Sequence, residues 1–192
     1  MAHEWQTKIS RVVEGKVIIR GYTHEALIGD YSFAEGVFLT LRGELPTREE
    51  ARMMDAMLNS LLDHGFVAAS VLAARYAASG NPQLVPGTAA GLLTAGSNTI
   101  SPQHSAEFLD NALKMQRADN LTLDETARRV VAGVRAHKKR IPGFGHPTHK
   151  GDDFRAIRLR KVAADNGFVG DKITMFEAIH AETGKSFDAM AA

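Results

Sequence analysis

Thr47-Arg48-Glu49-Glu50-Ala51-Arg52-Met53-Met54-Asp55-Ala56-Met57-Leu58-Asn59-Ser60-Leu61-Leu62 is the stretch whose reading decides the fold class. The Thr47 hydroxyl and the Glu50 carboxylate stand at the spacing of a capping box, in which each side chain satisfies a backbone N–H that a helix start leaves unpaired. Ala51, Met54, Leu58, Leu61 and Leu62 then recur at helical spacing, which predicts one apolar face. Outward from this helix the same signals repeat. Ser32-Phe33-Ala34-Glu35 and Thr122-Leu123-Asp124-Glu125 are further capping boxes. Residues 66–78 are alanine-rich and stop at Gly80-Asn81-Pro82, and 83–95 carry small residues (Gly87, Ala89, Ala90, Gly91) that permit near approach of another helix. Residues 96–103 read as a loop, with Ser101-Pro102 interrupting any helix. Helices are expected again over 104–115, from the Thr122 box into the 135–140 region, over 154–166 and over 172–182. The β-leaning segment is Val17-Ile18-Ile19-Arg20-Gly21-Tyr22, ended by Gly21. With no regular run of strands and no internal repeat, the expected class is all-α with a short β-like N-terminal segment.

Composition narrows the function. A chain of 192 residues, 44% apolar and 23% charged, can bury roughly 70% of its unfolded surface. Twenty-three Lys+Arg against 22 Asp+Glu leave a net charge of +1, so no global field points to nucleic acid or to a membrane surface. The absence of cysteine excludes disulfides, thiolate metal sites and cysteine nucleophiles. Met1-Ala2-His3-Glu4-Trp5 lacks the apolar region of a signal peptide, and no run approaches roughly 18 apolar residues. A soluble, cytoplasmic protein is expected.

Three places do not read as packing alone. Asp63-His64-Gly65 sits at a helix junction. It reads first as a helix end, with His64 in the last turn and Gly65 left-handed, and second as a histidine held in one tautomer at a cleft. Residues 141–155 read Ile141-Pro142-Gly143-Phe144-Gly145-His146-Pro147-Thr148-His149-Lys150-Gly151-Asp152-Asp153-Phe154-Arg155. Its glycines let the backbone approach a ligand and its prolines stiffen it; His146 can donate to a carbonyl oxygen and Arg155 can grip a carboxylate. His146 and His149 with Asp152 also invite a metal reading, a weaker one because Pro147 spoils helical presentation and no third ligand is dictated. The run Lys138-Lys139-Arg140 reads as a solvated helix end or as a clamp for the phosphate of a small ligand. His3, His24, His104, His137 and His180 read as surface or packing residues.

An ordered set of motifs resembles the citrate synthase superfamily, most closely its short citryl-CoA lyases, including the lyase module of ATP-citrate lyase. They are Ile19-Arg20-Gly21-Tyr22, Leu27-Ile28, Ser32-Phe33-Ala34-Glu35, Leu41-Arg42-Gly43-Glu44-Leu45-Pro46-Thr47, Asp63-His64-Gly65, Ala74-Arg75 with Ser79-Gly80, Ala90-Gly91-Leu92-Leu93, and the loop from Pro142 to Arg155. The resemblance implies a large and a small helical domain with the site in the cleft, in a homodimer or higher homo-oligomer. Residues 1–96 would form part of the large domain, 97–187 the small CoA-binding domain and 188–192 a truncated return to the large one. It implies that His146 hydrogen-bonds the oxygen of the oxaloacetate portion and that Arg155 binds its carboxylate. His64 would contact the citryl portion and stand as a candidate to take the hydroxyl proton. Ile141, Pro142, Gly143, Phe144 and Gly145 would lie against the CoA adenine, and Lys150 would meet CoA phosphate. The implied reaction cleaves citryl-CoA into oxaloacetate and acetyl-CoA, with a CoA thioester as substrate, no permanently bound cofactor and no metal. Acid/base chemistry of this kind needs a base, donors for developing charge and a group to handle the enol, which imidazoles near pH 7 partly supply.

Departures from the family pattern set the alternatives. Where synthases carry H-G-G-A-N, this chain reads Gly96-Ser97-Asn98-Thr99-Ile100-Ser101-Pro102-Gln103-His104-Ser105-Ala106, which tilts the reading from synthase to lyase. The family's D-P-R is Asp153-Phe154-Arg155, a change expected to loosen the turn while keeping the arginine. The family's catalytic aspartate lies in an N-x-D-G segment, whereas this sequence ends 46 residues after His146 with Asp188 in its tail. Asp188 stands equally as that aspartate in a shortened or incompletely recorded segment and as an unrelated residue. The alternatives are a citrate synthase condensing acyl-CoA with oxaloacetate, and an inactive or truncated CoA-binding member.

Overall fold

The computed structural model describes residues 7–96, 102–138, 140–144 and 153–183, which form two compact units, Met1–Asn59 and Ser60–Ala192.

The first unit opens with an antiparallel meander of β1 (Ser10–Val13), β2 (Lys16–Ile19) and β3 (Tyr22–Thr23). Its turns fall where the chain goes left-handed, at Glu14-Gly15 and at Arg20-Gly21. The β-leaning segment of the sequence is therefore β2 plus the turn into β3, and β1 lies beyond it. Strand pairing sets Ser10 opposite Ile19 and Ile19 opposite Tyr22. The Arg20 guanidinium crosses to the carbonyls of Lys8 (3.2 Å) and Thr40 (3.0 Å), which clasps the meander to the end of helix α2. Helix α1 (His24–Asp30) starts at a Thr23 cap and is broken at Ile28-Gly29. Helix α2 (Phe33–Arg42) has the Ser32–Glu35 capping box with both bonds formed and ends on Gly43 at φ 92°. Helix α3 (Arg48–Ser60) has the predicted box as well, with Glu50 donating its backbone N–H to Thr47 Oγ1 and its carboxylate accepting from the Thr47 N–H at 2.8 Å. Ala51, Met54 and Leu58 are half-buried, whereas Leu61 and Leu62 lie past the helix end and are exposed.

The second unit holds two packed groups. Helices α4 (Ala69–Gly80) and α5 (Leu84–Leu92) form a hairpin in which the small residues have the expected use. A Cβ placed on Gly91 would stand 3.1 Å from the Ser70 carbonyl, closer than side chains normally pack against backbone. Glycine there lets the two helix backbones approach.

The core of the unit is built by α6 (Pro102–Ala118), α7 (Leu123–Ala136) and α9 (Asp171–Thr183). Leu109, Ala112 and Leu113 meet Ala127 and Val131 and then Met175, Phe176 and Ile179, with Met175 and Ile179 fully buried. Pro102 does not interrupt a helix but begins α6, because a first-turn residue has no intrahelical use for its N–H. Helix α7 keeps its predicted capping box, but its helical bounds stop at Ala136. Lys138 is exposed and left-handed (φ 50°), so it follows the helix rather than ending it. Helix α8 (Phe154–Asp165) buries Ala156, Leu159 and Ala163 and is joined to α9 by an Arg160–Glu177 ion pair.

Two predictions follow from this packing. Ile179→Ala removes most of a fully buried side chain and is expected to cost about 2–5 kcal/mol, read as a lower urea midpoint. At the start of α7, hydrogen bonds from the Thr122 hydroxyl and then the Thr122 N–H hold the Glu125 carboxyl below its ordinary pKa. A carboxyl whose pKa is lower folded than unfolded contributes stability above its unfolded value and loses it as the pH falls through the folded one. The urea-midpoint difference between the native chain and Glu125→Gln should therefore be present at pH 7 and be lost as the pH falls below the ordinary carboxylate range and through the folded pKa.

Candidate active site

Helix α3 stops at Ser60, so Asp63-His64-Gly65 lies in the link to α4 and not in a last helical turn. Asp63 Oδ1 accepts the Gly65 N–H at 3.1 Å, a short side-chain-to-backbone turn. Gly65 is left-handed at φ 68°, as the helix-end reading also required, but the cause is this turn. His64 is carried at its apex, exposed.

Helix α8 places the second residue. Asp153 is its N-cap, has no exposure to water, and accepts the Arg155 backbone N–H at 2.9 Å. The same carboxylate takes the side edge of the Arg155 guanidinium, with Nε 3.0 Å from Oδ1 and Nη2 2.6 Å from Oδ2. Phenylalanine at position 154 therefore leaves no loose turn. The cap and the two-toothed ion pair fix it, and the arginine itself is only 14% exposed. The place of Asp153 just before a helix start is a capping signal legible in the sequence.

From that clasp, Arg155 Nη1 reaches to 3.4 Å from Nδ1 of His64, a residue 91 positions earlier. Two of the residues expected at the site are thus brought together. A guanidinium has only donors, so this approach is a hydrogen bond in the His64 tautomer whose Nδ1 carries the lone pair. The arrangement sets an arginine able to bind a carboxylate beside an imidazole able to meet an adjacent oxygen.

Ile141, Pro142, Gly143 and Phe144 form a tight turn closed by the Phe144 N–H on the Ile141 carbonyl at 3.3 Å, with Gly143 at φ 83°. Ile141 and Phe144 are buried in the α6–α7–α9 core, and Phe144 lies against Phe176 with ring centroids 4.6 Å apart. His180 stacks on Phe144 at 6.2 Å, a packing histidine. The turn is thereby bolted to the core by its outer residues, which holds the backbone at Pro142 and Gly143 in one place. Gly145, His146, His149, Lys150, Asp152 and Asp188 lie outside the described residues, as does Lys139.

Among the described residues no three His, Asp or Glu side chains gather to hold a metal ion, and no helix is long and apolar enough to cross a membrane. An open cleft of about 450 Å³ in the first unit is lined by Lys8, Arg11, Arg20 and Gly43 among others and contains none of the site residues. The Arg20 in its wall is the structural clasp described above.

The family model of the citrate synthase C-terminal domain matches residues 46–185. Among solved structures, the chain is similar to the citryl-CoA lyase from Hydrogenobacter thermophilus, with TM-score 0.83 and 34% identity over 97% of this chain and 73% of that one. It shares its fold with the ATP citrate lyase from Methanothrix soehngenii in complex with citrate and coenzyme A, at TM-score 0.80 and 16% identity. The same holds for a mutant ATP citrate lyase from Methanosaeta concilii in complex with (3S)-citryl-CoA, at TM-score 0.78 and 17% identity. Both alignments take in 100% of this chain and 31% of the larger protein. No curated protein sequence matches significantly. With nearly three-quarters of its length inside the family model and a citryl-CoA lyase as a 34% identical neighbour, the chain belongs to the citrate synthase family.

Proposed function

We propose that this chain is a carbon–carbon lyase that cleaves citryl-CoA, or a close relative, into oxaloacetate and acetyl-CoA. The observation that carries the reading is the approach of Arg155 to His64, which joins a carboxylate binder and an imidazole from distant segments in a member of this family. In the reaction His64 is the candidate to take the hydroxyl proton, the carbon–carbon bond breaks to give oxaloacetate and the acetyl-CoA enolate, and a proton from that acid or from water returns to the enolate carbon. Arg155 holds a carboxylate of the oxaloacetate portion, His64 meets the citryl portion, and His146 donates to the oxygen on which charge changes. Ile141, Pro142, Gly143, Phe144 and Gly145 receive the adenine of CoA, and Lys150 receives its phosphate. The rigid turn at 141–144 supports that assignment, because a backbone platform for a base has to be fixed before the base arrives. CoA enters as a substrate thioester, and the reading includes no permanently bound cofactor.

In this reading residues 1–96 and 188–192 belong to a large helical domain and 97–187 to a small CoA-binding one. The chain works as a cytoplasmic homodimer or higher homo-oligomer. The exposed apolar residues of α4 and α5 and of the cap that follows, with Tyr76 79% exposed, Leu84 84% and Leu93 87%, support self-association, since patches of this kind mark contact surfaces. A citrate synthase is the second reading, disfavoured by the absence of H-G-G-A-N between Gly96 and Ala106. An inactive CoA-binding member is the third reading, and the same assay separates it.

Purified protein is to be offered citryl-CoA, and separately oxaloacetate with acetyl-CoA. Acetyl-CoA formed from citryl-CoA is the expected result. Free CoA from the condensation mixture would instead identify a synthase, and CoA binding without turnover in either mixture an inactive member. His146→Ala should lower kcat by roughly 100- to 1,000-fold with the circular dichroism spectrum unchanged. Undiminished turnover in that variant would remove His146 from the site.

A further inference from the structure

From Phe66 to Gln103 the sequence holds a single Asp, Glu, Lys or Arg side chain, that of Arg75. It stands on α4, six residues beyond Ala69 at the helix start. None of the ion pairs among the described residues includes it. What the guanidinium meets is a ring, because its central carbon lies over Phe66 at 5.3 Å from the centroid. That is within the range at which a cation is drawn to an aromatic face. Side chains lean toward the N-terminus of their helix, which carries the long arginine back to the segment before α4. Phe66 is two positions from His64 in that segment. Two devices therefore bracket the histidine. Asp63 Oδ1 takes the Gly65 N–H on one side, and Arg75 covers the Phe66 ring on the other.

We infer that Arg75 is a positioning residue, which ties the link between α3 and α4 to α4 through Phe66 and so sets the place of His64. It touches no substrate, and its effect passes through the Phe66 ring and the backbone at Gly65. This deepens the lyase reading and rests on it for the consequence in turnover, while the tie itself depends only on the contact of Arg75 with Phe66. The link needs such a tie because its apolar side chains are not buried: Leu61, Leu62, Phe66 and Val67 are all exposed. Packing alone does not hold it, whereas a cation over a ring survives exposure to water. The anchor itself is firm, since α4 packs closely on α5 where Gly91 meets the Ser70 carbonyl. Arginine suits the role because its planar guanidinium spreads over a ring, where lysine offers a point charge. An exposed contact of this kind favours its closed form by about two- to fivefold, which sets the size of the effects to be read.

A double-mutant cycle on the full chain tests the tie, with Arg75→Met, Phe66→Leu and the two combined. In the chain labelled with nitrogen-15, the Gly65 amide and the His64 ring resonances should move in each single variant. Once Phe66 has become leucine, Arg75→Met should move them no further. Arg75→Lys, which keeps the cation, should bring them part of the way back from their positions in Arg75→Met. Resonances at 64 and 65 indifferent to Arg75→Met, a second shift of the same size when Arg75→Met is added to Phe66→Leu, or Arg75→Lys equal to Arg75→Met would each overturn the inference. They would do so whether or not citryl-CoA is a substrate. In turnover of citryl-CoA, Arg75→Met and Phe66→Leu should each lower kcat/KM by about two- to fivefold, and the combined variant by no more, with the circular dichroism spectrum unchanged. Multiplied losses in the combined variant would show two separate roles and overturn the tie. Absence of turnover in the native chain would refute the lyase reading and leave the nuclear magnetic resonance cycle to decide the tie.

Discussion

A carboxylate with no exposure to water is stable only where the protein replaces its hydration, and Asp153 is provided for from one direction by a helix start and from another by a cation. The Arg155 N–H gives it the helix-cap bond, and the Arg155 guanidinium gives it two charge-assisted bonds. The arginine is held in one orientation, because turning it would break its charge-assisted bonds to the buried carboxylate. That constraint joins local structure to function. It starts α8, fixes the Arg155 side chain, and directs its far amino group to the histidine in the α3–α4 link. Removing the aspartate would disturb all three together.

The supports around this clasp are of ordinary kinds. Helix α8 buries Ala156, Leu159 and Ala163 along one face and is tied to α9 through Arg160 and Glu177. Helix α9 shares the core in which Ile141 and Phe144 are embedded, so the turn at 141–144 and the helix carrying Arg155 are joined through the same packed element. His64 depends on a smaller device, the Asp63–Gly65 turn, which needs a glycine because the backbone there is left-handed. The arginine, held by its clasp, therefore meets a histidine carried on an exposed link.

Much of this was legible in the residues. The boxes at Ser32, Thr47 and Thr122 announced three helices because each is a local exchange of hydrogen bonds that needs no tertiary context. The small residues of α5 announced a close helix contact, and Gly91 against Ser70 supplies it. The motifs from Ile19 to Arg155 led to the family that the comparisons show. Pro102 was less legible, since a proline that forbids a helix interior equally suits a first turn, and only the neighbouring chain decides between them. Helix α1 has a Thr23 cap but a break at Ile28-Gly29, and so too little apolar periodicity to read. At the site, Asp63-His64-Gly65 carries the same letters whether it ends a helix or forms a separate turn. The approach of His64 to Arg155 joins segments 91 residues apart and could not be read from local pattern. Asp153 was readable as a helix cap, yet its hold on the guanidinium depends on burial, which the letters do not state.

The central claim is that Asp153, Arg155 and His64 form one preorganised site for the oxaloacetate half of a citryl thioester. A crystal structure of the full chain grown with citrate and CoA tests it most directly. The account predicts a citrate carboxylate on Arg155, the Asp153 clasp unbroken, and His64 Nε2 within hydrogen-bond distance of a citrate oxygen. Citrate bound away from Arg155, or an arginine released from Asp153 to reach it, would contradict the account.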